Sequence, residues 1–202
     1  MSIRISQMID NFISVDQARY TTSIVSKYLD DAKVEASKCF YKITLPSDII
    51  FTKDDTSTSD EQFEKLTREF NIHYRSCIGS LIDLFSTIVE FSFAVHKLEK
   101  FSANPGKVHF EGLVHILIYI RDNKTLGLKY YADMNDAPLS DLLRQASIKN
   151  ENSLMDFSDS SWQDFPDTGK STGVYIYYIL SRWANLIWHT CSRTSFSINC
   201  RK

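Results

Sequence analysis

Apolar positions recur along this chain first at mixed spacing, then at helical spacing, then in alternation. Over residues 3–15 the alternation is loose (Ile3, Ile5, then Phe12, Ile13, Val15), which predicts a short strand or hairpin. Asp16 follows as an expected N-cap. Tyr20, Ile24 and Tyr28, with Val25 and Leu29, then recur at helical spacing and predict a helix near 17–30. Residues 31–59 hold Pro46 and most of the polar run TKDDTSTSDE. They read as a connector with extended pieces at 43–45 and 49–51.

Ser59 or Asp60 is expected to cap a short helix through Phe70. The longest periodic segment is 74–101. Ile78, Leu81, Ile82, Phe85, Ile88 and Val89 form one stripe, and Ala94, Val95 and Leu98 extend it. A bend over 87–90 would make this two packed helices. Pro105 and Gly106 stop it, and a third helix is expected over 107–121, ended by Asn123. That helix is apolar on most faces, which implies either deep burial or a partner surface. A strand is expected over 126–132 and a short helix over 140–148. Then come two strands joined by the turn-rich residues Pro166, Asp167 and Gly169, with Asp159 at the end of the first. Residues 181–202 show no clear period. They read either as sequence not selected for this fold, for example after a frameshift, or as an ordinary poorly ordered terminus.

With 202 residues the chain can form one large domain or two small ones, and its 43% hydrophobic content supports a packed core. The formal net charge of -2 gives no global drive toward nucleic acid, so only a local patch could bind one. Cys39, Cys77, Cys191 and Cys200 lack CxxC spacing and read as reduced structural thiols of an intracellular protein, cytoplasmic or nuclear. No run approaches the ~18 apolar residues of a membrane span, and the N-terminus lacks the features of a signal peptide.

Several motifs, in order, resemble a known family. Tyr74-Arg75-Ser76-Cys77-Ile78-Gly79-Ser80-Leu81 looks like the helix just after the polymerase core of copia-type retrotransposon polyproteins. Phe93-Ala94-Val95, Phe101, Asn104-Pro105-Gly106, His109-Phe110, Tyr119-Ile120, Leu126-Gly127-Leu128 and Tyr130 continue in register. Asp159, Trp162, Asp164 and the run from Asp167 to Gly173 look like the opening of that family's ribonuclease H domain. The resemblance covers most of residues 5–180.

It implies a source protein with reverse transcriptase and ribonuclease H activities, acting on RNA, DNA and their hybrids with divalent metal, Mg in the parent family. The family's polymerase carboxylates lie upstream of the residues present here. The family also carries Lys and Arg in the helix that here holds Val114, His115 and Ile118, and an Arg-Pro-Asp segment where this chain has Ile88-Val89-Glu90. After residue 178 it continues to a serine-rich segment and an acidic helix with another catalytic carboxylate; 181–202 show neither.

These readings give an α+β fold: a helical module followed by a small, incomplete ribonuclease H-like sheet. Its expected parts are 1–58 (strand, helix and connector), 59–123 (helical connection module), 124–180 (sheet unit) and 181–202 (tail). The sheet is expected to leave an edge strand unpaired, and the third helix to expose apolar surface once the polymerase palm is missing. Marginal stability or self-association would follow.

Asp159 is the residue the resemblance carries over as catalytic and metal-binding. Two-metal hydrolysis needs several converging carboxylates, and period-2 geometry sets Asp156 on the opposite strand face, while Asp164 and Asp167 fall in the loop. The chain alone is therefore expected to bind no cofactor. Lys107 and His109 open the third helix, where a phosphate contact is one reading and capping or packing the other. His109 and His115 are six apart and share no helix face. Tyr28-Leu29-Asp30-Asp31 imitates the YxDD polymerase motif but ends an amphipathic helix, so it reads as a decoy. Gly169-Lys170-Ser171-Thr172 ends like a P-loop, yet Asp164 stands where its first Gly belongs. Tyr175, Tyr177 and Tyr178 read as sheet packing before base stacking. The function expected is that of a catalytically inactive polyprotein fragment. Its expected partners are RNA–DNA hybrid or the missing polymerase core, with no membrane. The alternative is a non-catalytic nucleic-acid or protein binding module derived from such an element, and a working metal nuclease is a third reading.

Overall fold

A computed structural model describes residues 3–7, 12–29, 43–46, 49–88, 91–131, 152–160, 173–181 and 185–190. The fold is α+β, with a helical unit, Gln17–Leu126, and a sheet unit that joins Ile3–Asp16 to Gly127–Lys202. The expected first part, 1–58, is thus shared between the two units.

The helical unit begins with α1, Ala18–Tyr28, which buries Thr21, Ile24 and Tyr28; of the predicted stripe, Ile24, Tyr28 and Leu29 are buried and Tyr20 and Val25 partly so. Its N-cap is Gln17, without a side-chain capping bond. The expected cap, Asp16, instead ends strand β2, and its carboxylate is taken by Arg4 at 2.8 Å. α2, Asp60–Phe70, starts as the sequence predicts: the Ser59 hydroxyl accepts the Gln62 N–H at 3.3 Å. It ends at Asn71, whose left-handed φ of 48° suits an Asn C-cap.

The long periodic segment breaks where a bend is expected. α3, Tyr74–Ile82, runs into a 3-10 turn, Asp83–Ser86, and α4, Ser92–Glu99, starts afresh. The β-branched run Thr87-Ile88-Val89 disfavours an uninterrupted helix there. Burial then fixes the break. Thr87 is 2% exposed, its hydroxyl donates to Gln17 Oε1 at 2.7 Å, and Ile88 is fully buried.

α5, Lys107–Asp122, is the centre of the unit and packs on α1, α2 and α4. Its residues His109, Phe110, Leu113 and the run from Ile116 to Ile120 are buried. Each fully buried Leu or Ile contributes about 2 kcal/mol of transfer free energy. The exposed apolar surface expected on this helix is therefore not there: deep burial, the other half of that expectation, is what the fold uses. Asn123 ends the helix, with its side-chain amide donating to Tyr119 O at 2.8 Å.

Among the described residues the sheet unit has six strands: β1 Arg4–Gln7, β2 Phe12–Asp16, β3 Gly127–Tyr131, β4 Asn152–Ser160, β5 Gly173–Ser181 and β6 Asn185–Thr190. Their order is β1-β2-β3-β6-β5-β4. Two three-stranded antiparallel ladders meet between β3 and β6, where Tyr131 pairs with Asn185. The expected hairpin over 3–15 is β1–β2, and the two expected strands around Asp159 are β4 and β5. Residues 185–190, which show no period in the sequence, nevertheless form a strand between β3 and β5. Gly127 is required by close approach: a Cβ there would meet Val15 O at 2.4 Å and Asp16 Cβ at 3.0 Å. The expected helix over 140–148 lies outside the described residues.

Candidate functional site

The start of α5 is where sequence reasoning places a phosphate contact. A strap formed by Phe51 and the 3-10 turn Lys53–Asp55 lies against it. The strap is held by its own capping box, with the Thr52 N–H and hydroxyl donating to Asp55 Oδ2 at 2.9 and 2.8 Å. Those two bonds hold the Asp55 carboxyl below its ordinary value. Ser57 then pins the strap to the loop before α5. Its N–H donates to Asn104 O at 3.2 Å and its hydroxyl to Pro105 O at 2.6 Å. The backbones approach so closely that a Cβ on Gly106 would sit 1.7 Å from Asp55 O.

His109 closes this node from inside. It is fully buried, its Nδ1 accepts the Gly106 N–H at 3.0 Å, and its ring packs against Phe101 (centroids 4.2 Å apart) and Phe51 (5.2 Å). Burial pushes its pKa down to about 4, against a smaller upward pull from Asp55. The ring is thus neutral at pH 7, with the proton on Nε2, an atom that finds no hydrogen-bond partner among the described residues. Such a ring offers no charge and no exposed donor to a phosphate. Of the two readings of His109, capping or packing and phosphate contact, this geometry matches the first: the residue caps a helix and fills a core.

Lys107 lies on the other side of the helix start. It is exposed, with Nζ 3.9 Å from Glu111 Oε1. A solvated i,i+4 pair of this kind is worth about 0.3–0.5 kcal/mol. The two residues expected to act together therefore face different surroundings. His115, six residues on from His109, meets Ile43 O through Nε2 at 3.0 Å, so the two histidines do not converge.

Asp159 lies on β4 of the sheet unit, paired with Val174, and Asp156 pairs with Tyr177. Asp164 and Asp167 lie outside the described residues. Among the described residues no group of three or more His, Cys, Asp or Glu could hold a metal ion. The YxDD-like run begins at Tyr28, the last residue of α1, which is buried together with Leu29. A polymerase motif needs a β-turn between strands at that point; Asp30 and Asp31 lie outside the described residues. Cys77 is fully buried, and burial pushes its thiol up to about 12, as suits a structural cysteine.

Two features escaped the sequence reading. The strap's T-x-x-D capping pattern, Thr52 to Asp55, was legible inside the polar run but was absorbed into a connector. The Gln17–Thr87 hydrogen bond joins residues seventy positions apart and left no local signal. Among the described residues no helix is long and apolar enough to cross a membrane. No family model, curated protein or solved structure matches the chain.

Proposed function

We propose that this chain is a fragment of a copia-type retroelement polyprotein, the connection that follows the RNA-directed DNA polymerase core and runs into the opening of ribonuclease H, and that it is catalytically inactive by itself. One observation carries the reading. Six of the residues that carry the family resemblance (Tyr74, Phe101, Pro105, Gly106, His109, Phe110) are buried in the helical unit. The Tyr74 hydroxyl donates to Leu98 O at 3.0 Å, its ring meets Phe110 edge-on at 5.1 Å, and Phe101 packs on His109. A motif made of mutually packed residues marks a structural module. The helical unit is then a spacer whose rigidity comes from this network, ahead of a sheet that carries Asp159.

In the parent protein, RNA–DNA hybrid is the substrate, and divalent metal held by several carboxylates performs hydrolysis. Here Asp159 is the one catalytic carboxylate that the resemblance brings over, so the fragment is inactive toward hybrid by itself.

Reading all frames of the DNA that flanks this coding sequence tests the family assignment. Polymerase-core coding upstream, with the remaining ribonuclease H carboxylates downstream, is expected; unrelated flanks would overturn it. Incubating the purified chain with RNA–DNA hybrid and Mg2+ tests inactivity. No cleavage is expected, and cleavage that disappears in Asp159→Asn would show a working nuclease. Hybrid binding that weakens steeply with salt would favour a retained binding module over an inert remnant.

A further inference from the structure

β1 stands at one end of the sheet order, so its outer edge presents a row of backbone N–H and C=O groups. Natural sheet edges are guarded by short length, charged side chains such as Lys, Pro, bulges or inward charges, and of these β1 has the short length, at four residues. β1 reads RISQ, with neither Lys nor Pro, and its one charge is tied down. Arg4 Nε donates to Asp16 Oδ2 at 2.9 Å, with Nη2 at 2.8 Å.

The opposite face of the strand is apolar and open. Ile5 is 71% exposed, Ile3 50% and Ile13 43%. The register sets Ile5, Val15 and Leu128 in one row, and Gln7, Ile13 and Tyr130 in the next. Side chains alternate along strands, so both rows share a face, away from Arg4 and Asp16. An uncharged strip therefore runs across β3 and β2 to the edge that β1 forms among the described residues.

We infer that this edge is a self-pairing surface: two copies of the chain join β1 to β1, antiparallel about Ile5, into one continuous sheet. The pattern of the strand favours a second copy as the occupant. With Ile5 opposite the second copy's Ile5, Arg4 falls opposite Ser6 and Ile3 opposite Gln7. No like charges meet, and the exposed isoleucines of both copies form one strip. The neighbouring register, Ile3 opposite Ile5, sets Arg4 against Arg4 and is repulsive. A two-fold contact of this kind uses the same patch on both copies and closes at the dimer. Self-association, expected at the third helix, belongs at β1.

Sedimentation velocity of the full chain over a range of concentrations tests this. A dimer that dissociates on dilution is expected. Ile5→Lys, which sets Lys against Lys at an exposed position, weakens it about tenfold or more with an unchanged circular dichroism spectrum. In an independent arm, Ile5→Cys cross-links to a covalent dimer under mild oxidant, above the level of the unsubstituted chain. A monomer at every concentration, open-ended oligomers, a dimer indifferent to Ile5→Lys, or no gain in cross-linking by Ile5→Cys would overturn the proposal.

Discussion

The imidazole Nδ1 of His109 accepts the backbone N–H of Gly106 at 3.0 Å, so the N-terminus of α5 is capped by a ring three residues inside it. The bond requires an unprotonated Nδ1, and the flanking rings of Phe51 and Phe101 oppose any charge there.

Acid should loosen the helical unit through this residue. The folded value of about 4 lies below the ordinary 6.5, so the unfolded chain takes up the proton first. The His109 contribution is therefore fully present above about 6.5, declines as pH falls, and levels off below about 4. The slope it supplies is at most about tenfold in the folding constant per pH unit. Urea midpoints between pH 7 and 4 measure it. His109→Gln keeps an acceptor at the same helical position and should flatten that part of the curve. An unchanged slope would place the acid sensitivity elsewhere.

Two glycines should respond in opposite directions to alanine. Gly106→Ala drives a Cβ into the Asp55 backbone carbonyl, where no flexible side chain can yield. We expect a loss of about 3 kcal/mol in urea unfolding. Gly79, an exposed residue within α3, has nothing within 4 Å of an added Cβ. Gly79→Ala should stabilise by about 1 kcal/mol, because alanine restricts the unfolded chain and favours helix. Equal effects at the two positions would contradict the close approach of strap and helix start.

Removing the hydroxyl of Thr87 should be costly although valine keeps the shape. Thr87 Oγ1 donates to Gln17 Oε1 at 2.7 Å, and both residues are buried. Thr87→Val deprives the amide oxygen of that donor, at about 1–3 kcal/mol. The double variant Thr87→Val with Gln17→Leu should recover part of the loss, since an apolar pair leaves no buried acceptor. Additive losses in the double variant would show that the bond contributes little.

The elements legible in the sequence are those whose signal is local. The Ser59 cap, the stop at Pro105-Gly106 and the ending at Asn123 each depend on a few adjacent residues, and each is where the pattern places it. Asp16 misled because a side chain suited to capping was claimed by Arg4, a residue twelve positions away on a neighbouring strand. His109 was legible as a helix-start residue, but its role turned on burial. The same imidazole contacts phosphate when exposed and caps when enclosed by Phe51 and Phe101, and only the distant strap decides between them.

Hydrophobic spacing by itself determined that this chain forms an amphipathic helical module followed by strands, because period and turn chemistry act over a few residues. Only the tertiary structure decided which apolar faces are covered. α5 is enclosed by α1, α2, α4 and the strap, whereas β1 is left open at the sheet edge with Ile5 exposed. The physical reason is that burial depends on what the rest of the chain brings alongside. A strand such as β6 shows how far that can go: its pairing with β5 holds a segment whose own sequence carries no period.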